Sequence, residues 1–368
     1  MQPTQAYLYA LLSSYVKETI FRMADPDKQI YKMAVIGCGF FAQNHLNAWN
    51  EIDDVQLVAV CDMWPEKAEA AAKKFGAVAY TNPEKMLREQ QLDFVDVVTN
   101  VADHRAVVEL VAGHGRHLIC QKPMAEHLED ARAMVAACKA AGVTFMVHEN
   151  FRWQTPLRAV KRIIDSGEIG TPFFGRASFR SNYNPYIDQP YLAEQARMLI
   201  QDVGVHMIDV GRFYFGEPHS LMCHAVRVNP KIVGEDTFTI MLATDTATCV
   251  VDASFNTQTE HETFPQVILT IEGDKGVLNL RDDFRLEIVH NGQMTVRTVR
   301  PKSHAWTVEP WTVVQDSVYN TNWHFIECLR AGQQPETNGD DNLKVMELTF
   351  GAYEALEKGV VFKADKNG

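Results

Sequence analysis

The stretch Met33-Ala-Val-Ile-Gly-Cys-Gly-Phe-Phe-Ala42 decides the fold. Its first four residues, Met33–Ile36, are apolar and read as a short strand. Gly37-Cys-Gly-Phe-Phe-Ala42 then has the spacing G-x-G-x-x-A and opens a helix over Phe41–Asn50. Gly37 makes the tight turn. Gly39 lets the backbone approach a pyrophosphate seated on the helix N-terminus, and Ala42 keeps helix and strand close. Phe40 and Phe41 share this turn and count with Gly37 and Gly39 as cofactor contacts. The next strand, Val55–Cys61, runs into Asp62, 25 positions after Gly37. An acidic residue there accepts hydrogen bonds from ribose hydroxyls. Met63 and Trp64 follow, with no cation set to meet a 2′-phosphate. NAD is therefore expected ahead of NADP, with Lys67 the cation that keeps NADP open.

Outward from this motif, short apolar runs alternate with helical stretches as far as His148. Further strands are read at Val78–Tyr80, Phe94–Thr99, His117–Cys120 and Thr144–His148. Helices are read at Pro65–Phe75, Pro83–Glu89, His104–Ala112 and Leu128–Ala141, the last stopped by Gly142. Continuous Val/Ile/Leu/Phe runs in such an alternation mean a parallel sheet covered on both faces. After Phe151 the pattern changes to longer alternating strands separated by turns such as Asn291-Gly292. One helix is expected inside them, at about Gln201–Phe215, and two more close the chain at Val313–Ala331 and Asn342–Glu357. The fold class is α/β: an N-terminal doubly wound Rossmann domain (31–153) and a C-terminal α+β domain on a mostly antiparallel open sheet (154–358). Residues 1–30 read as a short extension, with Met23 an alternative start, and 359–368 as a tail.

Composition narrows the partners. Of 368 residues, 46% are hydrophobic and 22% charged, ordinary for a soluble globular chain. The formal net charge of −12, with no basic stripe, argues against nucleic acid and anionic membranes. No run of about 18 apolar residues is available to span a bilayer. The seven cysteines form no C-x-x-C pair, which leaves no structural zinc site and suits free thiols in a reducing cytoplasm. No metal is expected.

Two further stretches carry chemistry. Gln121-Lys122-Pro123 ends the fifth strand, and ligands of open α/β sheets bind at the carboxyl ends of the strands. Asp202-Val-Gly-Val-His206-Met-Ile-Asp209 places Asp202 and His206 four apart and Asp209 three further on, on one face if the segment is helical. The residues between them are apolar, so these groups are buried and need partners. A carboxylate beside an imidazole suits proton transfer near neutral pH.

In this order and spacing the motifs resemble the glucose–fructose oxidoreductase/inositol dehydrogenase/rhizopine-catabolism family (Gfo/Idh/MocA), from about Lys32 to Lys358. They are the G-x-G-x-x-A turn, Asp62, Thr99-Asn100 with His104, Lys122-Pro123, His148-Glu-Asn-Phe-Arg152 and the Asp202/His206/Asp209 helix. The resemblance implies an NAD-dependent oxidoreductase acting on a sugar or polyol. It implies cofactor contacts at Thr99, Asn100, His104, Gln121 and Lys122, and a catalytic set of Lys122, Asp202 and His206. In that set His206 is the base, Asp202 orients it and Lys122 donates to the substrate oxygen. Gln121 stands where the family has Glu, which makes Lys122 less strongly held as a cation. Arg152, Tyr183 and Tyr186 are weaker candidates for the substrate pocket, beside Lys122, Asp202 and His206. Val147–Trp153 with Tyr186–Tyr191 is similar to the branch of the family that acts on D-apiose. An NAD-using glycosidase and a non-catalytic NAD-binding sensor would share the same fold. The strands over Thr237–Phe255 are read as apolar on both faces, which favours a homodimer or homotetramer.

Overall fold

The computed structural model describes residues 29–258 and 264–364. The extension expected over residues 1–30 lies outside them up to position 28, and so do the last four residues of the expected tail.

The first unit is a parallel sheet of β1 (Tyr31–Ile36), β2 (Val55–Cys61), β3 (Val78–Tyr80), β4 (Phe94–Val97), β5 (His117–Gln121) and β6 (Phe145–His148). The strand order is β3-β2-β1-β4-β5-β6, and every pair is parallel. The helices between the strands are α1 (Ala42–Glu51), α2 (Pro65–Phe75), α3 (Pro83–Glu89), α4 (Val101–Gly113) and α5 (Leu128–Ala141). Their ends follow local chemistry. Proline opens α2 and α3, the Asn82 side chain caps the N–H of Lys85, and Gly76 and Gly142 end α2 and α5 with left-handed φ of 71° and 66°. The order reverses between β1 and β4, which opens a crevice at the strands' carboxyl ends.

A short 3₁₀ turn (Phe151–Trp153) and α6 (Thr155–Asp165) lead into a nine-stranded sheet. It contains β7 (Pro172–Arg180), β8 (Ser220–Val226), β9 (Thr237–Ala243), β10 (Thr248–Ser254), β11 (Gln266–Gly273), β12 (Gly276–Leu280), β13 (Arg285–His290), β14 (Gln293–Thr298) and β15 (Phe362–Lys363). The order is β14-β13-β12-β11-β7-β10-β9-β8-β15; only β7 and β10 pair in parallel. Asn291 and Gly292, with φ of 51° and 71°, form the tight turn between β13 and β14. Residues 362–363, expected in a tail, instead add the edge strand beside β8.

The expected helix over 201–215 begins as a π turn (Ile200–Gly204) and continues as α7 (Val205–Phe215). The chain closes with α8 (Thr312–Ala331) and α9 (Gly339–Lys358). These two helices serve both sheets. Phe325 and Ile326 of α8 join Met33, Val35, Trp49 and Phe94 in the core on one face of the parallel sheet. Met346 of α9 joins Met134 and Val135 on the other face, while Val345, Leu348 and Ala352 belong to the core of the nine-stranded sheet. Thr337 bonds the backbone of Val147 through its own carbonyl and its hydroxyl, so the segment before α9 extends the β6 edge.

The outward face of β9 and β10 is mixed, where the sequence reading expects apolar side chains on both faces. Phe238, Ile240 and Leu242 point into the core, but the other side carries Thr239, exposed Met241 and Asp252. Asp252 is bonded to Arg176 and Ser178 of β7.

Phe325 is fully buried, with its ring 5.3 Å from that of Phe94. Phe325→Ala is expected to lower the unfolding free energy by about 3–5 kcal/mol, the usual cost of an emptied aromatic site. Urea titration monitored by tryptophan fluorescence reads it out, and a loss below about 1 kcal/mol would show that α8 is not part of this core.

Candidate active site

At the β1–α1 turn, the geometry fits a dinucleotide. Gly37 has φ of +100°, and a Cβ on it would lie 2.2 Å from the Val98 carbonyl oxygen. A Cβ on Gly39 would meet nothing within 4 Å, so the turn presents bare backbone to the crevice. Asp62 is held in place by the Cys38 N–H (2.8 Å) and the Trp64 N–H (2.9 Å), which fixes its two oxygens at the end of β2. Each oxygen keeps a lone pair for a ribose hydroxyl. Thr99, after β4, has a buried hydroxyl without a hydrogen-bond partner among the described residues. Asn100 is exposed at the start of α4 and its side chain makes no capping bond. Phe40 is 46% exposed beside this turn, whereas Phe41 packs on His45.

Two expected cofactor contacts point elsewhere. His104 is buried, and its ring bonds the carbonyls of Thr99 (3.3 Å) and of Pro123 and Met124 (3.1 and 3.2 Å). It ties together the loops after β4 and β5. Gln121 is also turned inward. Its amide oxygen accepts the N–H of Lys122 at 2.7 Å, and its amide nitrogen lies 2.9 Å from Nε2 of His45. His45 Nδ1 meets Asp96 at 2.8 Å, and Trp49 donates to the same carboxylate oxygen at 2.6 Å. Gln121 therefore positions the backbone of Lys122 from behind and does not face its ammonium.

The β5 end and the π turn meet across the crevice. Lys122 Nζ donates to Asp202 Oδ1 at 2.7 Å and to the Asp202 carbonyl at 2.9 Å. Asp202 and His206 are not hydrogen-bonded to each other, contrary to the spacing argument. The segment runs as a π turn as far as Gly204, and each of the two side chains is taken by a partner from a strand end of the other unit. His206 bonds instead to Glu149 through Nδ1, and its ring lies flat on Phe151, centroids 3.9 Å apart and planes 2° apart. Asp209, one turn on, pairs with Arg152 through both Nε and Nη2.

Arg152 is correspondingly removed from the substrate set. It is 6% exposed and held by Asp209 and Asp341, so its guanidinium is spent on packing α7 and α9 to the 3₁₀ turn. Tyr183 bonds Asp188 through its hydroxyl and packs its ring against Phe264 and Trp311. Trp311 in turn meets Phe40, so a line of rings runs from the cofactor turn into the second unit. Tyr186 has a buried hydroxyl with no partner among the described residues. Burial pushes this phenol up to about 12, with Asp236 and Asp202 adding to the shift, so it remains a donor at neutral pH.

Sequence reasoning missed Glu149 and Trp311. Glu149 is within the quoted His148–Arg152 segment, and its signal was a carboxylate embedded in a strand-end run of buried residues. Nothing local marks Trp311; it arrives from a loop far along the chain.

Comparison with known proteins places this arrangement. The oxidoreductase family profile described as an NAD-binding Rossmann fold (GFO_IDH_MocA) matches residues 31–149, and the GFO/IDH/MocA C-terminal domain profile matches 157–279. A D-apiose dehydrogenase of Paraburkholderia graminis is 46% identical over 331 residues, 89% of this chain and 88% of that protein. A D-apiose dehydrogenase of Rhizobium rhizogenes is 42% identical over 330 residues, 89% and 96% of the two chains. The crystal structure of an oxidoreductase from Agrobacterium radiobacter in complex with NAD+, L-tartaric acid and magnesium superposes with a TM-score of 0.89. It is 41% identical and covers 90% of this chain and 98% of its own.

Removing the Asp62 carboxylate is expected to weaken NAD binding by about 10- to 100-fold, the range for hydrogen bonds to a charged group. Titration of Asp62→Ala with NAD by isothermal calorimetry measures it. An unchanged dissociation constant would remove Asp62 from the cofactor site.

Proposed function

The chain belongs to the GFO/IDH/MocA oxidoreductase family, and from that premise we propose that it is a dehydrogenase of a small free sugar, with D-apiose the substrate to test first. It is NAD-dependent and acts on the CH–OH group of a sugar or polyol. The observation that carries the reading is the pairing of Lys122, at the carboxyl end of β5, with Asp202 of the segment that carries His206. The two D-apiose dehydrogenases, similar along 89% of the chain, support the choice of sugar.

Bound NAD supplies a hydride acceptor at its nicotinamide ring. The protein's own groups handle the hydroxyl. The hydrogen bond of the His206 ring is made through Nδ1, which leaves Nε2 as the nitrogen to take the hydroxyl proton. Lys122 donates to the same oxygen and stabilises the negative charge that grows on it. Asp202 holds Lys122 through side chain and backbone together, which fixes the direction of the ammonium and balances its charge. Tyr186, with its unpaired hydroxyl, binds another hydroxyl of the sugar, and Tyr183 and Trp311 form an aromatic wall beside it. Gly37, Gly39, Asp62, Thr99 and Asn100 are the residues that would hold the dinucleotide.

We place the protein in the cytoplasm. Its seven thiols are unpaired, and burial raises most of them, which suits a reducing compartment. Among the described residues no helix is long and apolar enough to cross a membrane. We also propose a homodimer or homotetramer built on the outward face of the nine-stranded sheet, where Met222 and Met241 are exposed.

His206→Ala is expected to lower kcat by at least about 10²-fold while NAD affinity is kept, since a positioned base contributes about 10²–10⁴-fold. Lys122→Met is expected to cost about 10²–10³-fold, as for other donors to a developing oxyanion. A panel of free sugars and polyols with NAD, and separately NADP, read by reduced-cofactor absorbance, tests the substrate. NADH formation with D-apiose supports the reading; NAD binding with no turnover of any free sugar overturns it.

A further inference from the structure

A dehydrogenase must dispose of one proton per turnover, and here it arises in a closed place. His206 is 3% exposed, with one face of its ring covered by Phe151. The one hydrogen bond of the ring among the described residues goes from Nδ1 to Oε1 of Glu149. Glu149 is itself fully buried, and its second oxygen, Oε2, makes no well-formed hydrogen bond. An ionised carboxylate with an unsatisfied buried oxygen is costly, and the cost falls when it takes a proton.

We infer that Glu149 is the positioning residue of His206 and the terminal acceptor of its proton, so that one proton shared by this buried pair decides whether Nε2 works as base or as acid. This rests on the reading of His206 as the proton-transfer group. With Glu149 ionised, the carboxylate accepts Nδ1–H and Nε2 carries the lone pair. When the substrate O–H bond breaks, its proton goes to Nε2 and the Nδ1 proton passes to Glu149. The electron pair left on oxygen completes the carbonyl as the C–H hydride departs to NAD. The imidazole ends neutral in its other tautomer, and no imidazolium is buried. In the reducing direction every step reverses: Nε2–H donates, and Glu149 returns its proton to Nδ1.

The charged surroundings agree with this division. Burial pushes the Glu149 carboxyl up to about 7, with Lys122, Arg152 and the Phe151 backbone N–H pulling it down and Asp341 raising it. Burial also holds the His206 imidazole well below its usual value; Lys122 adds to that, while Asp202 and Asp209 oppose it. The adjacent His148 is held low as well, by burial and by His45. The sign follows. Below about pH 7 Glu149 keeps its proton and Nε2 is an acid; above it Nε2 is a base. Oxidation should rise with pH through this region, and reduction should fall.

Glu149→Gln keeps the side-chain volume and a bond to Nδ1 but cannot receive a proton. In the full-length enzyme, oxidative kcat is expected to fall by about 10²–10⁴-fold with KM and NAD affinity kept, and the rise with pH is expected to vanish. Turnover near wild type, or an unchanged pH profile, overturns the inference. Nitrogen NMR of the His206 ring in the cofactor-free protein gives a second readout that needs no reaction. In the wild type, Nε2 should switch from lone pair to N–H as pH falls through about 7; in Glu149→Gln it should not. If the wild type shows the switch but oxidises no sugar, the dehydrogenase reading fails and the pair stands. If the wild type shows no switch, the pair fails whatever the substrate. Should Glu149→Gln not fold, Glu149→Asp still titrates and is expected to keep the pH dependence with reduced kcat.

Discussion

Three polar side chains on one apolar helix set the architecture of the crevice. Asp202, His206 and Asp209 lie in a segment whose other residues are almost all buried hydrophobics. None of the three is tolerable there without a partner. The partners are Lys122 from the end of β5, Glu149 from the end of β6, and Arg152 from the turn that follows. The helix is thereby fastened across two adjacent strand ends of the other unit. The Arg152–Asp209 rung is buried and is joined to Asp341 and, through it, to Arg212. Burial still pushes the Asp209 carboxyl up to about 6, with Arg152 opposing, so the rung holds geometry at some electrostatic cost. The other two rungs carry the groups proposed above to handle the substrate proton.

Much of the nucleotide-binding unit was legible because its signals are local. Gly37 and Gly39, the strand-terminal Asp62, and the glycines that stop α2 and α5 each act within a few residues of where they stand. The second sheet was legible from its alternation and from Asn291-Gly292. The pairing inside the crevice was harder to read. Spacing alone joined Asp202 to His206; in the structure Lys122 and Glu149 take them instead, and the segment begins as a π turn. Propensity does not announce that turn: Ile200-Gln-Asp-Val-Gly204 reads as ordinary helix. Glu149, His104 and Gln121 failed for a related reason. A sequence says which polar residues sit at strand ends, but not whether they look outward to a ligand or back into the protein.

Gln121 shows how a departure from the family pattern is absorbed. Its oxygen is committed to the N–H of Lys122, so its nitrogen must face His45. As a donor it needs a lone pair on His45 Nε2, which leaves the ring proton on Nδ1, toward Asp96. A glutamate at this place would need the opposite, a proton on Nε2. Carboxylate with imidazolium, or amide with neutral imidazole, carry the same net charge. The ammonium of Lys122 is balanced from the other side of the crevice, by Asp202. The substitution is therefore local to the strand behind the lysine.

The last two helices have a consequence for how the molecule is made. Phe325 and Ile326 lie against Met33 and Val35, although nearly the whole chain separates them in sequence. During synthesis the amino-terminal sheet emerges first, and one of its faces, covered in part by α1 and α2, stays incomplete until α8 leaves the ribosome. Contacts of such separation are slow to form, and exposed apolar sheet is prone to aggregate in the interval. The segment 312–358 thus acts as a late-arriving clasp: neither half of the protein is finished until it has been made.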